Sequence, residues 1–149
     1  MIRGKKSVVL DLRSDDGHKS VLDLVASADV VVENFRPGVM ERLSLNYTRL
    51  AIDHPDLIYC SISGFGQTGP LAMNAAFAPV VQAISGYELE NMKQQPELTK
   101  PGHVGIFFAD VMAGVQAFGA ISTALFSRTQ TGQGQYIDCL LYTSDASDE

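Results

Sequence analysis

The sequence predicts an α/β fold with a parallel sheet, and two observations carry that prediction. Segments rich in β-branched and apolar residues alternate with segments of helical spacing, in the order strand, helix, strand, helix, strand. This alternation is typical of parallel sheets joined by right-handed crossovers. In addition, residues 29–35 (DVVVENF) have a continuous apolar centre, which is typical of a strand covered on both faces.

The first half of the chain supplies three predicted strands and the helices between them. Apolar residues at helical spacing after Asp15 and Asp16 predict a helix that reaches Val25. Shorter apolar segments predict two further helices, the second of which stops before Pro55. The predicted strands are residues 7–12, 29–35 and 57–63, and the two short helices are residues 39–43 and 47–53.

The second half begins with a segment too rich in Gly and Pro for regular structure, residues 64–70 (GFGQTGP). A short helix is expected at residues 80–84, ending at Gly86, and the polar residues 88–102 are expected to form a surface loop. A long helix should begin at Asp110 and end before Thr131, since apolar residues recur between them near the 3.6-residue period. Residues 135–138 then predict a returning strand.

The composition of the chain argues against several classes of partner. The 149 residues are 46% hydrophobic and 19% charged, which fits one domain with a buried core. A net charge of -6 argues against nucleic acid or an anionic membrane as partner. No apolar run is expected to reach the roughly 20 residues of a membrane span. We expect a cytoplasmic, reduced protein without a metal site, because Cys60 and Cys139 show no ligand spacing. The isolated histidines, expected at the surface, are His18, His54 and His103.

Both ends of the chain depart from an ordinary domain pattern. A strand-like segment follows Met1 with no lead-in, and the last residues trail off in small and acidic side chains. We expect residues 1–138 to form the folded unit and residues 139–149 (CLLYTSDASDE) to be a non-native tail. A frayed native terminus is the alternative.

Asp110 is the strongest single candidate for chemistry, and it has two interpretations. An aspartate directly before a helix is a preferred N-cap that faces the positive end of the helix dipole. A carboxylate approached by the apolar residues 106–109 would also stay ionised while poorly hydrated, which suits a nucleophile that attacks a thioester. The two roles are compatible, and the residues alone leave both open.

Other polar residues near predicted strand ends are weaker candidates. Asn34, Phe35 and Arg36 stand at the carboxyl end of a strand, where open α/β sheets bind ligands, although a turn before Pro37 explains them too. Arg42 fits either a phosphate contact or a solvated helix face. The glycines of residues 64–69 resemble a phosphate-binding loop only loosely, and a flexible turn is the alternative. The residues therefore predict an anion or nucleotide site but name no reaction.

Six sequence blocks, taken together and in order, are more specific than any one of them. They resemble the family III CoA-transferases of the CaiB/BaiF type, which include formyl-CoA transferase, carnitine CoA-transferase and α-methylacyl-CoA racemase. The resemblance runs from residue 4 to residue 138. The blocks are GKKSVVLDL (4–12), ADVVVENFRPG (28–38), SISGFGQTGP (61–70), VQAISG (81–86), FAD (108–110) and RTQTGQGQ (128–135).

The resemblance implies a fold and a set of site residues. The chain would be the Rossmann-like parallel-sheet portion of the family's large domain, truncated at both ends. Asp110 matches the catalytic aspartate that becomes acylated, and three arginines would offer contacts to the phosphates of CoA. The positions that match the CoA site are Leu10, Asp11, Leu12, Arg13, Asn34, Phe35, Arg36, Arg42, Ala75, Ala76, Phe77 and Ala78.

Two departures from the family pattern bear on the reaction. Phe77 stands where the racemases carry a histidine that exchanges the α-proton, so CoA transfer is favoured over racemisation or epimerisation. Ala78 stands where formyl-CoA transferase has an acidic residue, which weakens the case for oxalate-type specificity. The donor and acceptor acids are left open.

The implied reaction moves CoA from an acyl-CoA thioester to a carboxylic acid through a mixed anhydride on Asp110. Coenzyme A enters as part of the substrate, and no metal or redox cofactor is implied. The family forms interlocked homodimers and has further segments, so the 149 residues alone are expected to be inactive. A CoA-binding fragment without catalysis is the remaining alternative.

Overall fold

The computed structural model describes residues 4–102 and 105–141, and it confirms the α/β class. Its three strands are β1 (Val30–Glu33), β2 (Ile58–Ser63) and β3 (Gln135–Leu140). They form one parallel sheet in the order β1-β2-β3, with Val30 opposite Ile58 and Cys60 opposite Ile137. All three strands therefore end at the same edge of the sheet.

Six helices lie among the described residues, and most of the predicted ones are confirmed. The first helix begins at Asp15, earlier than the prediction of a helix after Asp15 and Asp16, because the Ser14 hydroxyl accepts a hydrogen bond from the Gly17 amide at 3.1 Å and caps the helix. The helices are α1 (Asp15–Val25), α2 (Val39–Arg42), α3 (Tyr47–Asp53), α4 (Ala78–Ile84), α5 (Tyr87–Lys93) and α6 (Phe108–Thr131).

Strand β2 separates two apolar clusters, since successive side chains of a strand point to opposite faces. Cys60 packs on one face with Val81 and the buried alanines of α6, while Tyr59 packs on the other with Leu45 and Leu50. The Tyr59 hydroxyl donates a 3.0 Å hydrogen bond to the Leu45 carbonyl, so its polar end is satisfied inside the core. Helices thus cover both faces of the central strand.

Three predictions about the strands and loops are wrong. Residues 7–12 form no strand, because no neighbouring strand among the described residues pairs with them, and the Val9 side chain is 95% exposed. Strand β1 is not covered on both faces, since Val32 is 53% exposed. Part of the predicted loop 88–102 is helix α5, in which Glu88 near the start and Lys93 near the end complement the helix dipole.

The limits of α6 and β3 also differ from the prediction. Phe107 caps α6, so Asp110 is the third helical residue rather than the N-cap, and the helix continues through Thr131. Strand β3 reaches Leu140, and Cys139 and Leu141 are buried, which carries the packed unit past the expected boundary at residue 138. The remainder of the expected tail, residues 142–149, lies outside the described residues.

The histidines are less exposed than expected. His18 is half-buried, and its Nε2 lies 2.9 Å from the Leu43 carbonyl oxygen, so it links α1 to the end of α2. His54 is half-buried as well. His103 lies outside the described residues.

One helix in the described part of the chain, α6, is long and apolar enough to span a membrane by length and composition. The expectation that no apolar run reaches that length therefore does not hold for α6. Core helices pass the same test, and three buried alanines of α6, Ala109, Ala113 and Ala117, belong to the apolar cluster that contains Cys60 of β2 and Cys139 of β3. The predicted absence of a membrane partner stays a prediction.

Because several thiol and phenol groups are buried, we expect the folded state to lose stability at alkaline pH. Burial, reinforced by Cys139 and Glu33, raises the pKa of the Cys60 thiol from 9.0 to about 11, and burial also raises the pKa values of Tyr59, Tyr136 and Cys139. Because the folded state holds these protons more tightly than the unfolded state, the stabilisation is complete below pH 9 and is lost as the pH rises towards 11.

We expect the free energy of unfolding, measured by urea titration, to fall by about 1–2 kcal/mol between pH 8.5 and 11. The Cys60→Ala variant serves as the control and should show a shallower fall over the same interval. Equal slopes for the two proteins would contradict the contribution of Cys60.

Candidate functional site

The carboxyl ends of the three strands open into one cavity of about 460 Å³. The cavity lies where the sequence argument placed a ligand, at the edge at which parallel strands end. It is lined by residues after β1, residues at the ends of β2 and β3, the loop before α4, and the first turn of α6. These are Asn34, Phe35, Arg36, Pro37, Ser63, Gly64, Ala72, Asn74, Ala75, Ala76, Phe77, Ala78, Pro79, Phe107, Asp110 and Leu141.

Asp110 lies in the first turn of α6, where the helix dipole favours a negative charge. Within residues 4–102 and 105–141, no side chain forms an ion pair or hydrogen bond with its carboxylate. The expectation of a poorly hydrated carboxylate is not met, because Asp110 is exposed and the neighbouring Phe107 is 53% exposed. Asp110 lines the cavity, and the described residues leave its carboxylate without an ion pair or a side-chain hydrogen bond.

The turn after β1 is held by two hydrogen bonds. The Asn34 Nδ2 donates to the Ile62 carbonyl at 2.7 Å, which ties the turn to the end of β2. The buried Glu33 carboxylate accepts from the Phe35 amide at 2.8 Å. These bonds fix the backbone from which the exposed Arg36 side chain extends.

The loop before α4 packs closely on the end of β2. A Cβ on Gly64 would overlap the Cβ of Ala76, so only glycine permits this approach. Phe77 is extended, 69% exposed and caps α4, while Ala78 is 2% exposed. The two positions that depart from the family pattern thus both line the cavity.

Five of the predicted site residues do not line this cavity: Leu10, Asp11, Leu12, Arg13 and Arg42. The first four precede α1, where the Asp11 carboxylate accepts from the Arg13 amide at 3.0 Å. Arg42 closes α2, with its guanidinium near Gly38. Their assignment to the CoA site stays a prediction.

The glycine-rich loop after β2, residues 64–69, forms a turn that is hydrogen-bonded to β3 and does not resemble a phosphate-binding loop. The Gln67 amide donates to the Asp138 carboxylate at 2.9 Å, so it is not available to a phosphate. Gly66, at φ 85°, packs against Leu140 of β3. This finding favours the turn interpretation of residues 64–69.

Eight lining residues were not predicted as site residues: Pro37, Ser63, Gly64, Ala72, Asn74, Pro79, Phe107 and Leu141. Gly64 was considered only as part of the glycine-rich loop 64–69. The rule that identified Asn34, the carboxyl end of a parallel strand, applies equally to Ser63 and Gly64. Ser63 is 4% exposed, and its hydroxyl has no hydrogen-bond partner among the described residues. Asn74 lies in a loop whose position depends on long-range packing, and no local signal marks it.

Metal ligands are not grouped in the described part of the chain: no three His, Cys, Asp or Glu side chains there form an arrangement suited to an ion. Cys60 and Cys139 are buried free thiols.

The family model and the similar curated proteins all indicate a CoA-transferase. The family model described as CoA-transferase family III matches residues 1–147. The chain is 45% identical over 140 residues to an acetyl-CoA:oxalate CoA-transferase of Acetobacter aceti, covering 94% of this chain and 36% of that protein. It is 41% identical over 139 residues to a succinate–glutarate CoA-transferase of Agrobacterium fabrum, covering 93% of this chain and 34% of that protein.

A solved structure agrees with the sequence comparisons. A CAIB/BAIF family protein from Brucella suis superimposes with a TM-score of 0.85 at 39% identity, covering 97% of this chain and 38% of that one. The chain thus spans about a third of the length of the curated relatives it matches, at 36% and 34%.

Proposed function

The chain belongs to the family III CoA-transferases, and from that premise we propose that the whole protein transfers CoA from an acyl-CoA to a carboxylic acid through an acyl-aspartyl intermediate on Asp110. The observation that carries the proposal is a carboxylate in the first turn of α6, in a cavity at the carboxyl edge of the sheet, that forms no ion pair with any residue the structure describes. Family members are named as CoA-transferases, which supports the enzyme class.

The proposed reaction begins with attack of an Asp110 oxygen on the thioester carbonyl carbon. A C–O bond forms, the C–S bond breaks, and CoA leaves as the thiolate, giving a mixed anhydride. The acceptor carboxylate then attacks the aspartyl carbon and displaces the donor acid as its carboxylate. Finally the thiolate attacks the acceptor's acyl carbon, the new C–S bond forms, and the Asp110 carboxylate is released. No net proton or electron transfer is needed.

The surroundings of Asp110 support this chemistry. The Phe108 amide donates to the Ile106 carbonyl at 2.9 Å, so in the first turn of α6 the Ala109 and Asp110 amides are the ones assigned to an oxyanion, a contribution of about 3–4 kcal/mol per donor. We assign Asn34 and Phe35 to one side of the CoA arm and residues 75–78 to the other, since both segments line the same cavity. Arg13 and Arg42, outside the cavity, are assigned to the phosphates of CoA.

The acceptor class follows from the names of the relatives. Oxalate, glutarate and L-malate appear in those names, and all three are short dicarboxylic acids. We assign a short dicarboxylic acid to this protein as well. Among the described residues that line the cavity, Asp110 is the one acidic side chain and Arg36 the one basic side chain, and we assign Arg36 to a second carboxylate.

Racemisation of an acyl-CoA fits the cavity less well. Exchange of an α-proton on two faces needs two proton carriers, and Phe77 supplies none at the position where the racemases have histidine. In the described ranges 4–102 and 105–141, no histidine lines the cavity. Deuterium appearing at the α-carbon of a chiral 2-methylacyl-CoA in heavy water would instead favour racemisation.

A transfer assay tests the proposed function. The full-length protein is incubated with acetyl-CoA and glutarate, and products are followed by liquid chromatography and mass spectrometry. We expect glutaryl-CoA and free acetate to form in equal amounts. Acetate without glutaryl-CoA would indicate hydrolysis and would contradict the proposal, as would the absence of both products across a panel of donors and dicarboxylic acceptors.

A further inference from the structure

Arg36 is the one basic side chain that lines the Asp110 cavity within the described part of the chain. We propose that Arg36 determines acceptor specificity by binding the remote carboxylate of the dicarboxylic acid while the other carboxylate reacts at Asp110. This inference rests on the proposed CoA transfer. It assigns to Arg36 a role different from the phosphate contact that the family resemblance implies.

The backbone of Arg36 is firmly placed. Its carbonyl accepts a hydrogen bond from the Val39 amide at 3.1 Å, which starts α2. On its other side, Asn34 is bonded to Ile62 at 2.7 Å and Phe35 to Glu33 at 2.8 Å. A side chain that extends from such a fixed turn loses little further freedom on binding, which favours a specific contact.

The guanidinium of Arg36 is available for a ligand. The side chain is exposed, and no described residue forms an ion pair with it. Two other arginines are committed to ion pairs: Arg49 pairs with Asp53 at 2.7 Å and Arg128 with Asp29 at 2.7 Å. An uncommitted guanidinium matches a carboxylate with two parallel hydrogen bonds, a geometry that lysine does not offer.

The position of Arg36 favours the acid over the phosphates of CoA. A pantetheine arm separates the thioester from the nearest phosphate of CoA, so a thioester at Asp110 places the phosphates well away from it. Arg36 lines the cavity of about 460 Å³ that contains Asp110 and also a neighbouring cavity of about 280 Å³ beside Glu33, whereas Arg13 and Arg42 line neither. Arg13 and Arg42 are therefore suited to bind the phosphates of CoA. Arg36 is suited to bind the remote carboxylate of the dicarboxylic acid.

The second carboxylate explains how a small acid is selected. Its charge is partly desolvated when it enters the cavity, and Arg36 replaces the lost water with charge-assisted hydrogen bonds. Butyrate, which is glutarate with its second carboxylate replaced by hydrogen, leaves the guanidinium unpaired. Discrimination between the two acids is thus set by one side chain.

The test compares glutarate with butyrate as acceptors and uses acetyl-CoA as donor, because its acyl group carries no charge. For the full-length Arg36→Gln variant we expect kcat/KM for glutarate to fall by about 10- to 100-fold while kcat/KM for butyrate and KM for acetyl-CoA stay within twofold. Arg36→Lys should recover part of the preference for glutarate. Arg42→Gln is the matched control, in which the ratio of glutarate to butyrate is expected to be unchanged.

Two results would overturn the inference while leaving the proposed function intact. One is a raised KM for acetyl-CoA in Arg36→Gln with an unchanged ratio of glutarate to butyrate, which would assign Arg36 to the CoA phosphates. The other is a wild-type protein that transfers CoA equally well to both acids. If the wild-type protein transfers CoA to neither acid from any donor, the proposed function fails first and the role of Arg36 falls with it.

Discussion

Replacement of Asp110 with asparagine is expected to lower the rate of CoA transfer by about four orders of magnitude or more, because the amide cannot form the anhydride. Effects of this size are typical when a nucleophile is removed and binding is preserved. The rate would be measured with the acetyl-CoA and glutarate assay on the full-length protein. The affinity for CoA, measured by calorimetry, should change by less than about threefold, since the two side chains have the same shape.

The fold should tolerate this substitution. Asp110 is exposed in the first turn of α6, so loss of its charge removes only a dipole interaction of about 0.3–1 kcal/mol. Circular dichroism and a thermal melt serve as controls for folding. Activity within tenfold of the wild type in a folded Asp110→Asn protein would exclude an essential acyl-aspartyl intermediate.

Replacement of Gly64 with alanine is expected to have the second-largest effect. The added Cβ would overlap the Cβ of Ala76, so the end of β2 and the loop of residues 74–78 must separate. Overpacking of this kind costs about 1–3 kcal/mol of folding free energy. The loop carries one wall of the cavity, and a displacement of about 1 Å there is expected to lower kcat/KM by about 100-fold.

Two variants separate this steric effect from the general effect of removing a glycine. In Gly64→Ala combined with Ala76→Gly the overlap is relieved, so most of the lost stability should return. Gly119→Ala, at a helical position with open space around it, should raise stability by up to about 1 kcal/mol without altering activity. If the double variant is no more stable than Gly64→Ala alone, close packing of the loop on β2 does not explain the requirement for glycine.

Much of the fold was predictable because apolar patterning is a local signal. The buried β2 and the helix α3 match the prediction almost residue for residue. Residues 7–12 carry the same signal but form no strand, because a strand also requires a hydrogen-bonded neighbour, and local patterning does not provide one. Helix α5 was not predicted because it has no apolar stripe to reveal it. None of its residues is buried, and acidic residues in its first turn and Lys93 in its last turn stabilise it.

The site was predictable in part. The strand-end rule identified Asn34 to Arg36, and the same rule extends to Ser63 and Gly64. The start of α6 was misplaced by two residues, since the cap is Phe107 and apolar caps have no sequence signature. The separation of Arg36 from Arg13 and Arg42 is a tertiary property, and spacing along the chain gave no indication of it. The expected dimer and the cytoplasmic location stay predictions.

Trapping of the acylated enzyme tests the central claim most directly. The full-length protein is mixed with a panel of acyl-CoAs, quenched with hydroxylamine, and analysed by intact-protein and peptide mass spectrometry. We predict a hydroxamate at Asp110 that is absent from Asp110→Asn and from protein treated with free CoA. If CoA binds but no acyl-CoA in the panel produces a modification at Asp110, the covalent mechanism is contradicted.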